Sequence, residues 1–537
     1  MAGESSDERG GAAAVAGGFW RCPARTHLAY GCKLPAEPHT ISYVEALDGG
    51  DPRSGREYMD RLMRLEAPFT GPPVELIRTR GRMAALSEQA GFIKNDKFPN
   101  IAWLDGHMAW VEEIDFAVKR KRIWKVRTRG ARTKPELLLE FNMEGNRAGA
   151  GVPMLQRGGS RSEADAESAA LHQDGDWVYL SGRESNGSAG HPFLDRFNLK
   201  THQRERVFAS SVAGYDKPVA MLGRGHLLMR YENESEPPNF HLLEVKAGSR
   251  IALTHRPHPA PMLKSIQSQI IQYTRADGVP LSAELCLPIG YEPGQKVPVF
   301  MWTYPEKRAR DAGDRRLTPP NPFTWSERPA LELIVRSLST QGYAVLWYPS
   351  MPIIGDGTAN DTVAEQMVAN ARAAVEKVVG MGIADRSRIG IGGHSYGGTM
   401  TGVLLANSDL FAAGIAVAGG FNFTNHPMGF ASEPRALWQA PQVYQQLSSL
   451  LRADKISAPM LLIHGEQDNT YVTPPGESKR MYEALNSLGK TARHVLLPYE
   501  GHSFVAKESI QHAAWEINNW LDSYLKPEQD LRESSPP

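Results

Sequence analysis

Between Arg388 and Asn407 the chain reads RIGIGGHSYGGTMTGVLLAN, a short β-rich run that meets a glycine-rich turn and continues into a helical pattern. Few local structures accept that order. At its centre Gly393, His394, Ser395, Tyr396 and Gly397 spell G-x-S-x-G. This is the pattern of a strained strand-to-helix turn, in which a side chain at either flanking glycine would strike neighbouring backbone. Such a turn lifts the Ser395 hydroxyl clear of a sheet. It also leaves the Tyr396 N–H at a helix N-terminus, aimed where negative charge develops on an attacked carbonyl. The pentapeptide alone is a weak signal in a chain with 50 glycines, so the surrounding pattern has to decide.

That pattern is strands alternating with helices, the mark of a mostly parallel sheet covered on both faces. IIQYTRADGVPLSAELCLP reads as a hairpin around Asp277 and Gly278, VPVFMW as a buried strand, LELIVRSLSTQG as a helix closed by Gly342, and YAVLWY as the next strand. Asn360 to Met381 predicts a long amphipathic helix entered through a Thr362 to Glu365 capping box. After the serine turn come strands GIAVAG, PMLLIHG and HVLLP, with helices over Pro475 to Leu488 and Ile510 to Tyr524. The order is that of an α/β-hydrolase with a doubly wound sheet.

Upstream, from about Pro35 to Pro259, short apolar runs of strand length are separated by turns. The strand–turn–strand units at Phe193 to Ala209 and Phe240 to Arg256 start 47 residues apart, and Ile123 to Phe141 is a looser copy. Such recurrence predicts propeller blades, about four of them. The Pro-rich passage HRPHPAPMLK ends the β pattern. The expected division is therefore a tail over 1–34, a partial β-propeller over 35–262, a hydrolase domain over 263–527 and a tail over 528–537. The segment from Gly145 to Ser168, rich in Gly, Arg and Ser, reads as an exposed loop.

Sixty basic residues balance 60 acidic ones, so no net field recruits nucleic acid or an anionic membrane. No apolar run reaches membrane-spanning length, and the acidic first residues do not read as a secretory signal. Three scattered cysteines fit a reducing compartment better than a disulfide scaffold.

A serine nucleophile needs a base, and the base needs an acid that holds its tautomer. In this fold they follow the serine in the order acid, histidine. Asp468 lies just after PMLLIHG, and His502 just after HVLLP, so Ser395, Asp468 and His502 share one edge of the sheet and make the expected triad. Glu466 is the rival acid, and an amide at Asp468 is expected to hold the imidazole in the wrong tautomer. Tyr304, in the turn after VPVFMW, is the candidate second oxyanion donor beside the Tyr396 N–H. No His, Cys and Asp cluster has metal spacing, so no metal or cofactor is expected, and His394 and His464 receive no role.

The chain resembles the prolyl oligopeptidase family of serine peptidases, and within it the plant glutamyl endopeptidase branch. The passages that carry the resemblance are MPIIGDGTANDTVAEQMVANARAAVEKVVGMGIADRSRIGIGGHSYGG, GFASEPRALWQAPQVY, LLIHGEQDN and GHSFVAKESIQHAAWEINNWL. Weaker likenesses in RPHPAP, LMRLEAPF and VEALDGGD extend it over roughly residues 40 to 525. The resemblance implies a hydrolase domain beside a propeller that restricts access, the triad Ser395, Asp468 and His502 with Tyr304 as oxyanion tyrosine, peptide substrates cut after glutamate, and a plastid home. An S1 pocket for glutamate needs a cation to replace the hydration the carboxylate gives up. Arg435 is the first candidate, with Arg308, Lys307 and Arg310 in reserve.

One departure is large. Propellers of this family have about seven blades, and here about four are expected; a truncated gene, a natural short form and a homo-oligomer that closes the open edges are the three readings, truncation being preferred. A carboxylesterase of the same fold and an inactive scaffold are the competing functions.

Overall fold

The computed structural model describes residues 29–34, 37–48, 56–83, 101–104, 107–115, 118, 120–129, 134–142, 151–155, 171–183, 191–210, 214–223, 225–233, 236–258, 260–309, 330–355, 358–430 and 433–526. The chain divides into two compact units at Pro257/His258.

The described part of the first unit is β throughout and forms four antiparallel sheets in chain order. Glu37–Ala46 and Asp60–Glu66 are central in the first sheet, Met108–Asp115 and Arg120–Arg127 in the second, Trp177–Arg183 and Pro192–Asn198 in the third, and His226–Glu232 and Asn239–Glu244 in the fourth. The three repeats seen in the sequence each supply the last two strands of a sheet. Period-2 alternation explains how the sheets stack. Along Met108–Asp115, Ala109 and Val111 pack against Leu62 and Ile77 of the first sheet, whereas Trp110 between them packs against Val178, Leu180 and Phe197 of the third. Tyr179, on the opposite face from its neighbours, joins Leu227 and Met229 of the fourth. Each successive pair of sheets thus shares one apolar core, the arrangement of propeller blades, and each large side chain buried there contributes about 1.5–3 kcal/mol.

The tail expected over 1–34 stops short of its predicted end. Ala29–Leu34 is a strand paired with Glu37–Ala46. Residues 1–28, the tail at 528–537 and most of the Gly145 to Ser168 loop lie outside the described residues.

The second unit is built on one sheet whose strands are β1 (Ser268–Thr274), β2 (Pro280–Cys286), β3 (Val297–Trp302), β4 (Ala344–Trp347), β5 (Ala384–His394), β6 (Ala413–Val417), β7 (Met460–Gly465) and β8 (Ala492–Leu497). Their spatial order is β1-β2-β4-β3-β5-β6-β7-β8. The pairs β1/β2 and β2/β4 are antiparallel, and all the others are parallel. Helices α1 (Ala330–Ser337), α2 (Val363–Gly380), α3 (Tyr396–Asn407), α4 (Pro441–Leu447), α5 (Pro475–Ser487) and α6 (Lys507–Leu525) cover it. Strand β3 shows why its sequence is continuously apolar: Val297, Val299 and Met301 face the core under α2, α3 and α5, and Phe300 and Trp302 face the core under α1 and α6. This is an α/β-hydrolase sheet.

The capping box at α2 does not form. Thr362 makes no side-chain cap; its hydroxyl accepts from Gln366 Nε2 at 3.1 Å, and a 3₁₀ turn over Ala359–Thr362 leads into the helix in place of the cap.

Candidate active site

Strand β5 delivers Ser395 to the carboxyl edge of the sheet. The Ser395 N–H donates to the Val417 carbonyl at 2.8 Å, and its own carbonyl accepts from Thr399 N at 3.0 Å as α3 begins. At φ 59° and ψ −119°, Ser395 sits where a side chain is strained by about 1–3 kcal/mol. The two glycines of the pentapeptide make that conformation possible. A Cβ on Gly393 would come within 2.6 Å of the Thr303 carbonyl, and one on Gly397 would collide with the same oxygen. The end of β3 is thereby pressed against the turn, and the next residue, Tyr304, reaches Ser395.

The Tyr304 hydroxyl is hydrogen-bonded to the Ser395 side chain, and its ring meets Tyr396 edge-on at 6.5 Å. Burial raises the phenol's pKa, and the bond to Ser395 only partly offsets that, so Tyr304 stays a proton donor in neutral solution. Tyr396 opens α3, with its N–H at the positive end of the helix.

Asp468 and His502 are brought together by a backbone contact between the turns after β7 and β8. Gln467 N donates to the Glu500 carbonyl at 2.8 Å, and a Cβ on Gly465 would lie 2.5 Å from that carbonyl oxygen. Across this contact His502 Nδ1 lies 2.7 Å from Asp468 Oδ2. Burial by itself would raise the Asp468 carboxyl. Hydrogen bonds from His464 and His502, the charge on His502 and the bond from Thr470 outweigh it and hold the group well below the ordinary carboxylate range. Glu466, the rival acid, is exposed.

Three supporting residues escaped the sequence reading. His464 is buried on β7 and contacts Asp468 Oδ2 at 3.0 Å. His394 Nε2 lies 2.6 Å from the His502 carbonyl, with the two rings 4.7 Å apart, and burial pushes the His394 pKa down to about 4, so it serves as a neutral donor to the loop that carries His502. Glu500 accepts from Val505 N and Ala506 N at 2.8 and 2.9 Å and so closes that loop onto the start of α6. A polar residue in the otherwise apolar strand MLLIHG was the readable signal, since a buried imidazole requires partners.

Arg435 has an occupation other than the one expected from the resemblance. Its guanidinium holds both oxygens of Glu433, Nε to Oε1 at 2.9 Å and Nη2 to Oε2 at 2.8 Å, and also reaches Asp361 at 2.6 Å. The Glu433 carboxylate is fully buried, and leaving it unpaired would cost several kcal/mol, so Arg435 is held at this ion pair. Lys307 and Arg308 lie on a short strand, Glu306–Ala309, paired with Pro352–Ile354. Their side chains, and all of Arg310, lie outside the described residues.

Residues 357–528 match the Prolyl oligopeptidase family. The chain is 35% identical over 520 residues to the "Probable glutamyl endopeptidase, chloroplastic" of Arabidopsis thaliana, a match covering 93% of this chain and 52% of that protein. The protein of the same name from Oryza sativa subsp. japonica is 34% identical, with 91% and 52% covered. The chain therefore spans about half the length of these relatives. Among solved structures, a Mycobacterium tuberculosis puromycin-hydrolyzing peptidase superposes with a TM-score of 0.59 at 17% identity, over 94% of this chain and 70% of that one.

Proposed function

We propose that this chain, whose residues 357–528 form a prolyl oligopeptidase family domain, is a serine peptidase that cleaves on the carboxyl side of glutamate through an acyl-enzyme on Ser395. The observation that carries this reading is the 2.7 Å contact between His502 Nδ1 and Asp468 Oδ2 at the sheet edge where Ser395 emerges. With Nδ1–H donating a hydrogen bond to Asp468, the Nε2 lone pair of His502 takes the Ser395 proton as the hydroxyl oxygen attacks the scissile carbonyl. The oxyanion is met by the Tyr304 hydroxyl and the Tyr396 N–H. Collapse expels the amine with the proton from His502, and water, activated by the same imidazole, then releases the acid.

The glutamate preference is supported by the name of the two plant relatives. With Arg435 engaged by Glu433 and Asp361, the cation that receives the carboxylate is assigned to the stretch after Tyr304, to Arg308 or Lys307. A plastid location has the same support, and no helix among the described residues is long and apolar enough to cross a membrane.

Mapping cleavage sites in a peptide library tests the proposal. The expected result is cleavage after Glu at least about 10-fold faster than after Gln, which lacks the charge but keeps the shape. Ester hydrolysis with peptides left intact would replace it with a carboxylesterase, and failure to react with a fluorophosphonate probe would replace it with a scaffold.

Tyr304→Phe deletes only a hydroxyl. Turnover should fall by roughly 10- to 1,000-fold, the range for one oxyanion donor, with KM little changed. Steady-state kinetics on one peptide decide it: a change confined to KM would make Tyr304 a packing residue.

A further inference from the structure

Asp468 serves two histidines, and only one of them can reach a substrate. His464 Nε2 lies 3.0 Å from Asp468 Oδ2 and 3.0 Å from the Thr473 carbonyl, both acceptors, so that nitrogen carries the proton. On the opposite side of the ring, Nδ1 meets the Ser478 hydroxyl of α5 at 2.7 Å. The whole side chain is shut off from solvent. The Asp468 carboxylate accordingly takes His464 and His502 on Oδ2, while Oδ1 accepts Thr470 N at 2.9 Å. Three donors on one buried carboxylate hold its plane in a single orientation.

We propose that His464 is a positioning residue for the catalytic pair: clamped by Ser478, it fixes the rotation of the Asp468 carboxylate so that Oδ2 faces His502 Nδ1. The proposal rests on the reading of Asp468 and His502 as the catalytic acid and base. The reason for using histidine here is geometric. An aliphatic residue at the end of β7 would fill the volume but leave Oδ2 with a single donor and the Thr473 carbonyl with none, and the carboxylate would be free to turn. Lysine or arginine would hold the carboxylate but place a fixed positive charge next to the imidazolium that forms on His502 during attack. A ring N–H orients the acid without that charge.

The position also ties the site to the fold. Ser478 neighbours Glu477, whose carboxylate accepts Phe421 N at 2.9 Å, Asn422 N at 2.7 Å and Asn425 Nδ2 at 2.8 Å from the loop after β6. The first turn of α5 therefore holds two loops at once, the one after β6 through Glu477 and the one after β7 through Ser478 and His464.

The test compares His464→Phe, His464→Gln and Ser478→Ala in the full chain. The readouts are kcat and KM on one peptide across pH, the rate of fluorophosphonate labelling and thermal unfolding. Glutamine can place an amide N–H near the position of Nε2, and phenylalanine cannot. His464→Phe should lower kcat and the labelling rate by roughly 10- to 100-fold, the span of coupling within one hydrogen-bond network, with KM unchanged. The acid limb of kcat/KM should move to higher pH, because a carboxylate with fewer donors binds the His502 proton more tightly; Asp468 and His394 are the groups that face His502 directly. His464→Gln should recover most of the activity and the original limb, and Ser478→Ala should fall between the two. A folded His464→Phe with the original rate and limb overturns the proposal. If phenylalanine prevents folding, glutamine and Ser478→Ala decide: equal, large losses in both with an unmoved acid limb mean that His464 only packs. Full activity in Asp468→Ala or His502→Ala would instead remove the reading beneath it.

Discussion

Ser395→Ala is expected to abolish peptide hydrolysis and fluorophosphonate labelling, with kcat down by about 10⁴ or more. The size of the effect comes from losing the only atom that bonds to the acyl group; the oxyanion donors and the base remain but have nothing to assist. The fold should be untouched. Ser395 contributes to structure through its main chain, in the bonds to the Val417 carbonyl and from Thr399 N, and alanine keeps both. Alanine also occupies φ 59° with the same Cβ strain that serine already bears, so thermal unfolding should not shift, and the one bond lost is that of the Tyr304 hydroxyl. Undiminished turnover by the purified variant would remove Ser395 from the mechanism.

The parts of the chain that were legible are those whose chemistry is local. A strand buried on both faces must be continuously apolar, so VPVFMW could be read without knowing what covers it. The serine turn could be read because the glycines at 393 and 397 are a local signature, and the fold shows both pressed against the Thr303 carbonyl. What escaped depends on partners far away in sequence. For Arg435 the pairing with Glu433, two positions away, is a readable alternative, but only the fold places Asp361 beside it, 74 positions upstream, and buries the Glu433 carboxylate. The Thr362 cap is lost because Gln366 uses that hydroxyl while bonding the Ile354 main chain. His464 shows an intermediate case. Its polarity inside β7 signals a partner, but only the folding of the turn after β7 reveals that the partner is Asp468.

Asp468→Ala is expected to lower kcat by about 10⁴, and its neighbour Glu466→Gln to change nothing. Asp468 is buried and its Oδ2 is the acceptor for His502 Nδ1. Without it the imidazolium formed in the attack has no counter-charge, and the ring is free to present the wrong nitrogen to Ser395. Glu466 is exposed and lacks both connections. The structure changes the expectation for Asp468→Asn. Two N–H donors, from His464 and His502, converge on Oδ2, while Oδ1 receives the Thr470 N–H alone. An asparagine therefore gains more by placing its carbonyl oxygen at the Oδ2 position, with its NH₂ against Thr470, than by the reverse. In that orientation His502 keeps the productive tautomer and only the negative charge is lost. Asp468→Asn should consequently retain measurably more activity than Asp468→Ala, and NMR of the His502 ring should show the proton still on Nδ1. An asparagine variant as inactive as alanine, with the proton moved to Nε2, would mean that the amide turns its nitrogen to His502 and that the His464 donor does not control the carboxylate. Should Glu466→Gln prove the more damaging change, the acid has been misassigned.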